Sequence, residues 1–136
     1  MEKSRRSRRQ FILAQKATCD NWTWSWSFVN EKDKVIIFGS GEKLIPGGKR
    51  LILGKDWVTG PDGRRKSNGF PQSLRHINLI KNEGYQLKTF PLIYTIDASG
   101  QGPVRLAGFS EDLQCKDLEE LDDGWYACDK VKVLRK

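Results

Sequence analysis

Apolar positions in this chain alternate with polar ones more often than they recur at helical spacing, and the alternation marks where strands should lie. Phe11 to Cys19 reads as a first strand, with Phe11, Leu13 and Gln15 on one face against Ile12, Ala14 and Lys16 on the other. The sharpest case is Asn21-Trp22-Thr23-Trp24-Ser25-Trp26-Ser27-Phe28. Successive strand side chains point to opposite faces, so Trp22, Trp24, Trp26 and Phe28 share one face while Thr23, Ser25 and Ser27 share the other. The polar turn Asn30-Glu31-Lys32-Asp33 leads into Lys34-Val35-Ile36-Ile37-Phe38, and the two runs predict a hairpin. Gly39-Ser40-Gly41-Glu42 follows, with glycines that permit a positive φ, but it lacks the GxxxxGK spacing of a phosphate loop and no helical pattern follows it. Pro46-Gly47-Gly48 is a further turn, Lys49 to Leu53 a short basic strand, and Gly54 to Gly69 a long loop broken at Pro61-Asp62-Gly63.

Only Gly69 to Gly84 carries a clear helical signature. Pro71 suits the first helical position, Leu74, Ile77 and Ile80 step along one face, and Gly84 is placed to cap the C-terminus. Tyr85 to Asp97 is then a long strand in which Pro91, unable to donate a ladder hydrogen bond, implies a bend or an edge. A turn-rich loop over 97–103 precedes a strand from Val104 to Phe109, residues 110–121 fit either a short acidic helix or a strand, and Trp125 to Leu134 is the last strand. No internal repeat is visible. The order predicts an α+β fold: a strongly curved, mostly antiparallel sheet or half-open barrel wrapped around one main helix.

The chain's 136 residues suffice for one domain with a real core. No apolar run approaches the ~20 residues of a membrane span, and no secretory signal opens the chain, so the expected location is cytoplasmic, as in an intracellular protein of prokaryotic type. Cys19, Cys115 and Cys128 are odd in number and widely spaced, which argues against a disulfide framework or a zinc site and for buried free thiols. Neither a metal nor a cofactor is implied.

Charge changes the picture more. The net +7 is concentrated at the start, where Lys3, Arg5, Arg6, Arg8, Arg9 and Lys16 face only Glu2. Residues 1–16 read as a basic, flexible arm that binds phosphate without reading sequence, and 17–136 as a single recognition domain. Lys49, Arg50 and Lys55, with Arg64-Arg65-Lys66, add basic patches inside the folded part. An acidic C-terminal stretch, Glu111 to Asp123, opposes them, so a dipolar surface offering one cationic side to a polyanion is expected.

The tryptophan stripe has two readings: the inner face of a sheet packed under a helix, or a stacking platform for a planar base. Trp57, in the long basic loop, is either a plug on the core or an exposed stacking ring. His76 is the only histidine; no GxSxG elbow or paired-carboxylate motif accompanies it, so a hydrogen-bonded structural imidazole is the plainer reading.

Asn21-Trp22-Thr23-Trp24-Ser25-Trp26, the hydrophobic strand after it, and Gly69-Phe70-Pro71-Gln72-Ser73-Leu74-Arg75-His76-Ile77-Asn78-Leu79-Ile80 before Gly84-Tyr85 resemble a known domain. It is the N-terminal domain that precedes HNH nuclease domains in modification-dependent restriction endonucleases, and the match runs over about residues 19–110. The resemblance implies a reader of double-stranded DNA carrying methylated or hydroxymethylated cytosine, analogous to base-flipping SRA domains and sharing a PUA-like barrel. The chain carries no HNH motif, so the resemblance implies recognition without catalysis, with cleavage left to a nuclease domain or partner. In such a reader Trp22, Trp24 and Trp57 would stack on the flipped base, and Asn21, Ser25, Gln72 and Ser73 would contact its Watson–Crick edge. Arg64, Arg65, Lys66 and Arg75 would hold flanking phosphates, with Lys49, Arg50, Lys55 and the arm's Arg5, Arg6, Arg8 and Arg9 adding contacts to the backbone. Two other classes fit the residues: a PUA-like RNA-binding module, and an enzyme using His76 with Asp20 or Asp56.

Overall fold

Ser7-Arg8-Arg9-Gln10 builds a helix start where a strand was expected. In the computed structural model, which describes residues 4–22, 25–40, 44–45, 49–55, 69–95 and 105–129, helix α1 spans Arg8–Ala14. Ser7 Oγ accepts the Gln10 N–H while the Ser7 N–H donates to Gln10 Oε1, a reciprocal capping box that satisfies two otherwise orphaned donors. Lys16, at φ 61°, ends the turn after the helix in the left-handed region.

This helix also corrects the flexible arm. Phe11 and Ile12 are fully buried, and the Phe11 ring packs edge-on to Phe90 at 5.5 Å and tilted to Phe109 at 5.3 Å. Upstream, the Ser4 N–H donates to the Phe109 carbonyl, and Ser4 Oγ and Arg6 both bind the Glu111 carboxylate. Residues 4–16 are thus part of the fold.

The expected hairpin forms from β1, Ser27–Asn30, and β2, Val35–Ser40. Asn30 shapes its turn: Oδ1 accepts the Asp33 N–H and Nδ2 donates to Asp33 Oδ2. The remaining strands are β3, Leu44–Ile45; β4, Lys49–Gly54; β5, Gln86–Thr95; β6, Arg105–Phe109; β7, Gln114–Leu121; and β8, Gly124–Asp129. Residues 110–121, open to two readings in the sequence, resolve largely into a strand. Helix α2, Gly69–Glu83, precedes β5; Pro71 is its third residue, and Gly84, at φ +73°, leaves it as expected.

Seven strands run in the order β1-β2-β5-β7-β8-β4-β3, and β6 pairs with β5 off that path. All ladders are antiparallel except β2 with β5. The path is open and does not close into a barrel, so the expected mostly antiparallel α+β sheet is what forms. Pro91 marks the bend in β5: it ends the ladder with β2, and pairing with β6 begins at Leu92. On the other flank β8 approaches β4 so closely at Gly124 that a Cβ there would lie 2.4 Å from the Leu53 carbonyl oxygen.

Strand alternation gives the sheet two apolar faces. Ile36, Phe38, Leu87, Trp125 and Ala127 pack with Ile77 of α2, and Leu74 and Ile80 close over them. On the other face Phe28, Ile37, Phe90 and Phe109 pack with Phe11 and Ile12 of α1. The sheet therefore carries a helix on each face, where the sequence pointed to one main helix. Among the described residues no helix is long and apolar enough to cross a membrane.

Candidate nucleic-acid interface

The tryptophan-rich segment does not form one strand with one aromatic face. Only its last two residues, Ser27 and Phe28, lie in β1; before them the chain turns, with the Ser25 N–H donating to the Asn21 carbonyl at 2.9 Å. Trp26 packs toward the α2 core, whereas Trp22 and Phe28 belong to the α1 side. Trp24, placed with them by alternation, lies outside the described residues, as do Trp57, Arg64, Arg65 and Lys66 and most of the long loop.

The polar side of the segment clips onto the first turns of α2. Gln72 Oε1 accepts the Asp20 N–H at 2.6 Å, and its Nε2 donates to Ser25 Oγ at 2.7 Å, which also accepts the Asn21 N–H. One helical turn on, Ser27 Oγ lies 3.0 Å from Ser73 Oγ and 2.5 Å from His76 Nδ1. Ser25, Ser27, Gln72 and Ser73 are each at most 1% exposed. Three of the residues expected at a base edge, Ser25, Gln72 and Ser73, thus spend their hydrogen-bonding groups on the protein interior. A buried polar group must find a partner, and here the partners are one another and the backbone. Asn21, half-buried, sits at the rim of this seam.

His76 is 5% exposed, and burial, with Arg75 adjacent, pushes its pKa down to about 4 despite the opposing pull of Asp20. It is a neutral ring holding β1 to α2. Asp20 is exposed and salt-bridged to Arg75, so it does not orient the imidazole from within the core as the carboxylate behind a catalytic base would. Asp56 lies outside the described residues.

Trp22 has its ring contacts filled from within the chain. Phe28 stacks on it at 5.8 Å with the planes 21° apart, and the Arg9 guanidinium lies over it at 5.6 Å. Arg8 donates to the Trp22 carbonyl at 2.8 Å and lies 5.6 Å over the Phe28 ring. Arg6 is committed to Glu111. Arg5 is exposed and has no polar partner among the described residues. An indole and a guanidinium do meet among the described residues, between the start of α1 and Trp22. Arg75 reaches the same segment through Asp20. Sequence periodicity missed this because it placed the arginines on a free arm; the Ser7–Gln10 capping pattern was the available signal.

The basic residues of β4 are differently disposed. Lys49 pairs with Glu119, Lys55 with Glu120, and Lys81 of α2 also reaches Glu120. Hydrogen bonds from Lys55 and Lys81 hold the Glu120 carboxyl down to about 2, and Glu119 raises the Lys49 pKa. Arg50, half-buried on the same strand, stands among these charges. Acid and base expected on opposed surfaces are interleaved across β4 and β7. All three cysteines are free; Cys115 is exposed instead of buried, and burial with Glu119 alongside pushes the Cys128 thiol up to about 11. No group of three or more potential metal ligands occurs among the described residues.

No family model, no curated protein and no solved structure matches this chain.

Proposed function

We propose that the chain is a non-catalytic DNA-binding module, the recognition part of a modification-dependent restriction system, which docks through the start of α1 and the Asp20–Trp22 segment. The observation that carries the reading is the placement of Arg9 on a helix rooted in the core, beside Trp22, with Arg5 exposed just ahead of that helix. The Arg9 guanidinium, already held over the Trp22 ring, loses little side-chain freedom on meeting phosphate oxygens, which it binds in planar, bidentate fashion. The net charge of +7 supports the same partner.

Preference for methylated or hydroxymethylated cytosine, and the SRA- or PUA-like character of the domain, rest on the sequence resemblance. A flipped base would not enter the Ser25–Gln72–Ser73 seam without breaking its hydrogen bonds. Among the described residues, any base pocket in this reading is built from Asn21 and Trp22, with the Arg9 guanidinium moved off the indole to admit the base. Gel-shift titrations at fixed salt with unmodified, methylated and hydroxymethylated duplexes of one sequence test this. Tighter binding to a modified duplex is expected. Equal affinities would remove the modification preference; single-stranded RNA outcompeting every duplex would replace DNA by RNA as the partner.

A further inference from the structure

We propose that a cleft of about 280 Å³ between the end of α1, the β1–β2 turn and β5 binds a phosphate monoester of nucleotide size, with Lys88 as its anchor. Its walls include Lys16, Lys88 and Asp33 among the charged groups, and Val35, Ile37 and Leu113 among the apolar ones. The proposal stands independently of the DNA interface.

Lys88 carries the inference. It lies on β5, bonded on one side to β2 (opposite Ile37) and on the other to β7 (opposite Cys115), and it shares strand parity with Phe90, which belongs to the α1-side core. An ammonium is costly to remove from water without a counter-charge. The other half-buried lysines among the described residues, Lys49, Lys55 and Lys116, each have a carboxylate partner. The Lys88 side chain alone among these four has no ion pair or hydrogen bond among the described residues, and it opens into a cleft. Lys16, exposed at the rim, also has no such side-chain partner among the described residues.

Two ammoniums facing one cleft can each bond a different oxygen of a phosphate monoester, and with Asp33 the only carboxylate among the lining residues the cleft keeps a net positive charge that favours an anion. Asp33 has already committed Oδ2 to Asn30, and Oδ1 remains to accept a hydroxyl or amino proton of the same ligand. The apolar walls suit a small planar or sugar-like body. The volume sits at the small end of ligand sites and excludes a dinucleotide. A free nucleoside monophosphate and the 5′-phosphorylated end of a nucleic-acid strand share this chemistry.

The test is calorimetric titration of the full chain with cytidine 5′-monophosphate, and with one short oligonucleotide carrying either a 5′-phosphate or a 5′-hydroxyl. Lys88→Met should weaken phosphate-dependent binding about tenfold or more, as loss of a charge-assisted contact does, while Lys88→Arg retains most of it. Lys88→Met should also melt no lower than the parent, since it replaces an unpaired half-buried charge by an apolar chain of similar length. Binding of the free nucleotide, or only of the phosphorylated strand, identifies the source. The proposal is overturned if neither binds at millimolar concentration, or if a folded Lys88→Met variant binds both as tightly as the parent. Internal duplex sites lacking terminal phosphates should bind Lys88→Met and parent alike, which separates this site from the α1 interface.

Discussion

His76 couples the fold to pH. The folded ring has its pKa lowered to about 4 against an ordinary 6.5, so between those values the unfolded chain binds the proton more readily. The stability it supplies is therefore complete above pH 6.5 and drains as pH falls toward 4. Depressed carboxylates such as Glu120 act only below about pH 4.5, so a window from pH 7.5 to 5 isolates the histidine. Urea denaturation should show a loss of about 2 kcal/mol across that window. His76→Gln should flatten the dependence; an unchanged slope in that variant would place the titrating group elsewhere.

At the scale of elements, α1 decides whether the basic start of the chain is an appendage or a structural part. Phe11 touches both Phe90 and Phe109, so Phe11→Ala should cost about 3–5 kcal/mol of unfolding free energy in urea, a cost no flexible arm would carry. A loss below 1 kcal/mol would restore the arm. The misreading has a physical origin. Phe11, Leu13 and Gln15 do alternate with Ile12, Ala14 and Lys16, but the buried residues are the neighbours Phe11 and Ile12, which a helix places on one side and a two-faced strand does not. The hairpin, α2 with its Gly84 exit, and the bend at Pro91 were legible because each is fixed by local chemistry: an Asx turn, a left-handed glycine, a missing N–H. Gln114–Leu121 was not, since its charged sequence becomes a strand only through pairing with β5 and β8. The same limit governs the site. Ser25, Gln72 and Ser73, assigned to a base edge in the reader the resemblance implies, lie in one buried seam, and nothing in the alternation of the chain tells that they would face protein partners instead of solvent.

Over the whole molecule, the +7 charge matters less than where its cations are already spent. Lys49, Lys55 and Lys81 are held by Glu119 and Glu120, and Arg6 by Glu111, so these give up little counterion on meeting a polyanion. Arg5 and Arg9 are exposed and bound to no carboxylate among the described residues. Each phosphate neutralised by a cation releases condensed counterions, so the slope of log affinity against log salt counts the cations that engage. Arg5→Ala and Arg9→Ala should each reduce that slope for duplex DNA by about 1, whereas Lys49→Ala and Lys55→Ala leave it unchanged within error. Fluorescence anisotropy across a salt series measures both. Arg9→Ala also frees a ring contact of Trp22, so its tryptophan emission should shift where that of Arg5→Ala does not. Slopes that fall equally for the lysine variants would move the DNA contact to β4, and with it the module's orientation on the duplex.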